Sequence, residues 1–183
     1  QQSVALLVQD TSEIDLTRPA QQVRGAGPLD DSARRGAFLH AMQAFATDGT
    51  PLGMAWCDTW ARDEASLAEP QESKRKKRKA APIEAKESYR WLRGLRESRA
   101  VAECCPNTRC VCIADSEADI YELFAETRGV EHPVHWLVRL CQERGLATDS
   151  DDLEEAEQAK NVRDHVSSQP VLETKRITVR GRK

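Results

Sequence analysis

Long hydrophobic runs are missing from this chain. No apolar stretch approaches the ~18 residues that a membrane-spanning helix needs, which excludes one. A charged-then-apolar leader is missing too, so nothing in the sequence directs secretion. Aromatics are scarce at 5% of 183 residues, against 39% hydrophobic and 31% charged. That balance is polar for a globular domain but too apolar for a disordered chain. The net charge is only −3, from 27 basic and 30 acidic residues, which excludes a global attraction to nucleic acid but not a local patch. None of the six cysteines stands in a Cys-x-x-Cys frame. Buried reduced thiols of a cytosolic protein are the expected state, with zinc a distant second. The length suits one domain, or one and a fraction, and can bury roughly 70% of its extended surface. The chain opens at Gln1 without a Met, so it is expected to be a piece of a longer one.

What is present reads as alternating strands and helices. Residues 4–10, VALLVQD, form a short apolar run ending in an acid, expected to be a strand buried on both faces. Residues 17–36 are polar and rich in Gly and Pro, and read as a long loop. Residues 37–47 and 51–61 read as two strands joined by a turn at Asp48-Gly49. The stretch 63–82 has an acidic half and then six consecutive basic residues, Lys74 to Lys79, between Pro70 and Pro82. It lacks periodicity and is expected to be a mobile charged insertion on the surface. A solvated loop is at least as good a reading of that basic run as a DNA contact, unless it lies beside an active face.

Residues 83–102 are helical in pattern, with Leu92, Leu95 and Ala102 on one face and Gly94 weakening the helix slightly. A second apolar strand, RCVCIAD over 109–115, also ends in an Asp. Ser116-x-x-Asp119 then signals a helix start, with Ile120, Leu123 and Phe124 at helical spacing and Gly129 as a stop. Residues 134–141 are a third strand candidate. Beyond Gly145 the chain turns acidic and helical to about 165, and closes on a basic segment with a strand-like centre. No internal repeat is visible.

Two apolar strands thus end in an aspartate, Asp10 and Asp115. A helix-containing crossover tends to set such strands parallel in one sheet. As neighbours they would bring the two carboxylates to about 4.8 Å strand spacing. Carboxylates so placed repel unless a cation lies between them. Mg²⁺ suits such a site, because it takes one or two carboxylates with water and phosphate oxygens, and it serves phosphodiester chemistry. An Asp at a strand end is more often a turn or cap residue, and pattern alone leaves that reading ahead.

The motifs go further. VQDTSEIDL, GxGxLDDSARRGAFLH, KESYRWL and CIADSEADIYELF occur in this order. Together they resemble the catalytic core of a DDE transposase, in the IS-four family of bacterial insertion-sequence transposases and its transposon-five-like branch. The first family Asp matches Asp10, in Gln9-Asp10-Thr11-Ser12. The second matches Asp115, in Asp115-Ser116-Glu117-Ala118-Asp119-Ile120, which is the more specific motif. Lys86-Glu87-Ser88 and Trp91 match the family's helix ahead of the fourth strand. The likeness covers nearly the whole chain.

It implies an α/β fold: a ribonuclease H-like mixed five-stranded sheet with helices over residues 1–147. An acidic helix and the start of a β-rich insertion would follow over 148–183. It also implies Mg²⁺ or Mn²⁺ held by Asp10 and Asp115 as catalytic metal ligands. DNA (transposon ends and target) would be the partner, with self-association during transposition. The setting would be the bacterial cytoplasm, at the nucleoid when acting, with no membrane. The family's third acid, a Glu in a Tyr-x-x-Arg-x-x-x-Glu-x-x-x-x-x-x-Lys frame, has no counterpart here. The chain is therefore expected to be truncated at both ends and inactive alone. A non-catalytic binding remnant is one rival. The other is a ribonuclease H-like nuclease that keeps a third acid among Asp152, Glu154, Glu155 and Glu157. Gly25-Ala26-Gly27 lacks the rest of a phosphate loop, His40 reads as a core or edge histidine rather than a ligand, and Arg34 and Arg35 read as surface residues near the active face.

Overall fold

The computed structural model describes residues 2–18, 23–31, 33–65, 70–127, 131, 133–146, 161–174 and 176. The chain divides into two compact units, Gln1–Leu140 and Cys141–Lys183. The first is an α/β unit built on a mixed sheet. Strand β1 (Val4–Asp15) is followed by the two-residue β2 (Gly27–Pro28), then β3 (Arg35–Phe45) and β4 (Pro51–Trp60). Helices α1 (Gln71–Ala80) and α2 (Tyr89–Cys104) lead to β5 (Arg109–Ala114). A 3₁₀ turn (Ser116–Ala118), the short helix α3 (Tyr121–Ala125) and β6 (His135–Val138) complete the unit.

The sheet order is β2-β3-β1-β5-β6, with β4 also paired to β3. β1 and β3 are antiparallel, β3 and β4 form the hairpin, and β1, β5 and β6 run parallel. Apart from the brief β2, this is the expected five-strand set, and the order is consistent with a ribonuclease H-like topology. The hairpin turns at Gly49, whose φ of 88° is left-handed backbone that favours glycine. Among the described residues no helix is long and apolar enough to cross a membrane.

Strand alternation decides which side chains reach the core. On β1, Ala5, Leu7 and Gln9 are buried; on β5, Cys110, Cys112 and Ala114 are. Both sets face α2, which contributes Trp91, Leu92, Leu95, Ser98 and Ala102 as its buried stripe. The opposite faces of β1 and β5 carry Leu6, Val8, Val111 and Ile113, which are only half-buried. The expectation that the first strand is buried on both faces therefore fails: alternation, not full burial, governs it. Cys110 and Cys112 are buried free thiols as expected, while Cys57, Cys104, Cys105 and Cys141 are exposed. Burial pushes the Cys112 thiol up to about 11, so it is inert.

Three local expectations are corrected. The basic stretch is not an irregular loop but helix α1, exposed along nearly all its length. Lys, Arg and Ala are good helix formers even without an apolar stripe. Its charges also suit the helix dipole, with Glu72 in the first turn and Lys77, Arg78 and Lys79 in the last. Second, the turn after β5 is capped by Asp115, whose Oδ1 accepts from the Glu117 N–H at 2.8 Å; Ser116 is not the cap. Asp119 is buried at 4% exposure, not a surface helix-start residue. Third, part of the segment that resembles the start of a β-rich insertion is helix α4 (Val162–Ser168), capped by the Asn161 side chain. The acidic run 149–157, Gly129 and the segment 177–183 lie outside the described residues.

Gly94 is more than a weak point in α2. A Cβ there would lie 1.9 Å from Gln9 Oε1. The Gln9 amide is buried and hydrogen-bonded at both ends, so it cannot swing away without losing partners. We expect Gly94→Ala to cost about 1–3 kcal/mol in urea unfolding, despite the ~1 kcal/mol that Ala gains in a helix. In a Gln9→Ala background the same change should be neutral or stabilising. Additive costs in the double variant would contradict this packing.

Candidate metal centre at the ends of two parallel strands

β1 and β5 pair in parallel from Val4↔Arg109 to Val8↔Ile113. Two residues further along each chain stand Asp10 and Asp115, so continuing the register sets them opposite one another. Alternation puts both on the sheet face opposite the core. Asp10 is exposed and Asp115 partly so. Each uses Oδ1 to fix local backbone: Asp10 accepts from the Thr11 N–H at 2.8 Å, and Asp115 from the Glu117 N–H at 2.8 Å.

A chain of hydrogen bonds joins the two strand ends. Arg90, in the first turn of α2, donates from Nη2 to Glu117 Oε2 at 2.6 Å and from Nε to Thr11 Oγ1 at 2.9 Å. Its Nη1 donates to the Glu87 carbonyl at 2.9 Å. The path therefore runs Asp115–Glu117–Arg90–Thr11–Asp10. The Arg90 side chain is 13% exposed, but its partner Glu117 is 60% exposed, so the bond to Thr11 is the more sheltered of the two.

The path continues inward. The Thr11 hydroxyl lies 2.8 Å from His40 Nδ1, and His40 Nε2 lies 3.0 Å from Gln9 Oε1. Gln9 Nε2 donates to Cys112 Sγ at 2.8 Å. These contacts fix the tautomer. The amide oxygen only accepts, so His40 carries its proton on Nε2 and its Nδ1 accepts from Thr11. A neutral imidazole satisfies every member, and an imidazolium would leave the Thr11 hydroxyl proton without its acceptor. His40 is fully buried and edge-on to Trp91, with ring centroids 4.5 Å apart. Its pKa is lowered to about 4, mainly by burial and then by the Arg90 charge, with Arg93 adding and Asp58 opposing. It is the core histidine that the sequence suggests.

Nearby acids are mostly committed elsewhere. Arg34 pairs with Glu13 at 2.7 Å and Asp15 at 2.9 Å. Arg62 pairs with Glu87 at 2.6 Å and Asp30 at 2.6 Å, Arg35 with Glu64, and Arg93 with Asp58. Arg34 and Arg35, expected near the active face, are thus engaged with carboxylates. Asp10 and Asp115 form no ion pair among the described residues. That donor set, two carboxylates with free lone pairs and no neutralising side chain, fits a divalent cation. Among the described residues no group of three or more His, Cys, Asp or Glu is placed to hold a metal. Asp152, Glu154, Glu155 and Glu157 lie outside those residues.

The sequence marks Asp10 and Asp115 but not the residue that connects them. Arg90 lies inside KESYRWL, and Thr11 and Glu117 inside the two Asp motifs, yet nothing in their spacing announces a contact 79 residues apart. No protein-family model matches the chain, and no curated protein does.

The buried imidazole gives the fold a pH dependence. In the unfolded chain His40 takes up a proton near its ordinary 6.5; in the fold it resists until about 4. The unfolded state therefore binds more protons in that window, and stability falls as pH drops through it, by up to about 3 kcal/mol. We expect urea midpoints measured from pH 7 to pH 4 to fall more steeply for the wild type than for His40→Leu. Parallel profiles would contradict the assignment.

Proposed function

We propose that this chain is the catalytic core of a DDE transposase, similar to the transposon-five-like branch of the IS-four family, acting in metal-dependent DNA strand cleavage and strand transfer. One observation carries the reading: β1 and β5 pair in parallel as far as Val8↔Ile113, and continuing that register sets Asp10, inside β1, opposite Asp115, just past β5, with no ion pair to either among the described residues. The ribonuclease H-like sheet order and the bridge through Glu117, Arg90 and Thr11 support it.

In this reading Asp10 and Asp115 are metal ligands, not proton carriers. Bound Mg²⁺ or Mn²⁺ would activate the attacking oxygen and stabilise the leaving one. Thr11 and Glu117 spend their backbone N–H groups on one oxygen of each Asp, which leaves the second oxygen of each available to hold a cation. Arg90 holds both turns in one frame. It is a positioning residue, since its guanidinium is bonded to protein groups on three sides. The partner is double-stranded DNA, at element ends and then at a target, with self-association during transposition. The third acid of the family chemistry is not among the residues that meet here.

With two carboxylates at the site among the described residues, the 183-residue chain should bind Mn²⁺ weakly and leave end-bearing duplex DNA intact. A longer polypeptide carrying the Tyr-x-x-Arg-x-x-x-Glu-x-x-x-x-x-x-Lys segment and an end-binding region should nick it. In that polypeptide Asp10→Ala or Asp115→Ala should lower nicking at least about a thousandfold without unfolding the domain. Robust nicking by the 183-residue chain, lost on substitution of Glu154 or Glu155, would instead favour a ribonuclease H-like nuclease.

A further inference from the structure

Helix α1 forms one wall of an open cleft of about 850 Å³. Arg75, Arg78 and Lys79 line it from the helix, at the i, i+3, i+4 spacing that puts side chains on one face. Arg90 and Glu117, the two residues that bridge the strand ends, line it from the other side. The cleft therefore reaches Glu117, two residues past Asp115, although neither aspartate lines it. Arg75, Arg78 and Lys79 make no ion pair among the described residues, whereas Lys76, outside the cleft lining, is paired with Glu72 at 3.4 Å. A chain of net charge −3 thus presents, among the described residues, three cations without an ion pair on one face of the helix that walls this cleft.

We infer that α1 is a backbone clamp for double-stranded DNA, in which Arg75, Arg78 and Lys79 grip phosphates and lead the duplex to Asp10 and Asp115. This rests on reading that pair as a DNA-cleaving site. At ten residues the helix is about 15 Å long, enough to follow roughly four base pairs of backbone. Among the described residues the one aromatic lining the cleft, Trp91, is fully buried and offers no stacking platform for unpaired bases. The clamp thus grips duplex without reading sequence.

The test is fluorescence anisotropy of the 183-residue chain with a labelled ~30-base-pair duplex of arbitrary sequence, in EDTA, across about 50–200 mM KCl. A triple variant, Arg75→Ala with Arg78→Ala and Lys79→Ala, should bind about tenfold or more weakly, with a log–log salt slope lower by about two to three. On the same helix, Arg78→Ala alone should weaken binding severalfold and Lys76→Ala less than twofold. Wild-type affinity in the triple variant overturns the clamp, as does equal weakening by Arg78→Ala and Lys76→Ala. A preference for single strands also overturns it. Asp10→Ala and Asp115→Ala are kept for the longer polypeptide, where they test the active-site reading. Failure of the active-site reading would show separately, as nicking by the longer polypeptide that survives those two Asp substitutions while the clamp variants still lose DNA.

Discussion

The guanidinium of Arg90 holds the candidate site together. Asp10 lies inside β1 and Asp115 caps the turn after β5, and parallel pairing stops at Val8↔Ile113, short of both. Beyond that point no ladder bond between β1 and β5 fixes one carboxylate against the other. Arg90 replaces it, reaching Thr11 on one side and Glu117 on the other from a third element, α2. A planar, permanently charged fork suits that task better than a lysine, whose ammonium offers no fixed geometry. Burial strengthens each bond and makes the loss of either partner expensive.

The same constraint reaches the core. Thr11 accepts from Arg90 and so turns its own proton toward His40, which must stay neutral, which fixes Gln9, which in turn requires the bare backbone of Gly94. Fold stability and site geometry therefore share residues. Trp91, next to Arg90 in sequence, seals the relay from above, fully buried against His40. Its indole N–H finds no acceptor among the described residues, a local cost that the packing of so large a ring offsets.

Much of this was legible in the sequence, for physical reasons. The apolar runs at 4–10 and 109–115, the Asp48-Gly49 hairpin and the face of Leu92, Leu95 and Ala102 are short-range signals, and they held, except that the first strand does not end at Asp10 but runs on to Asp15. The parallel pairing of the Asp-ended strands followed from the crossover rule. Other features were hidden. Residues 74–79 have no apolar periodicity, so pattern reading had nothing to detect, although propensity favoured a helix. Asp119 read only as part of a helix start, because its burial depends on long-range packing. Arg90 looked like any arginine, because a contact spanning 79 residues leaves no local trace.

The central claim is that Asp10 and Asp115 form one shared divalent-cation site. Electron paramagnetic resonance of free Mn²⁺, titrated with the 183-residue chain, tests it most directly, because bound ion leaves the six-line free signal. Asp10→Asn and Asp115→Asn should each abolish the tightest binding, the double variant should lose no more than either single one, and Asp15→Asn, at the ion-paired end of β1, should bind as the wild type does. Separate, additive losses from the two aspartates, or full binding retained in either single variant, would contradict a shared site.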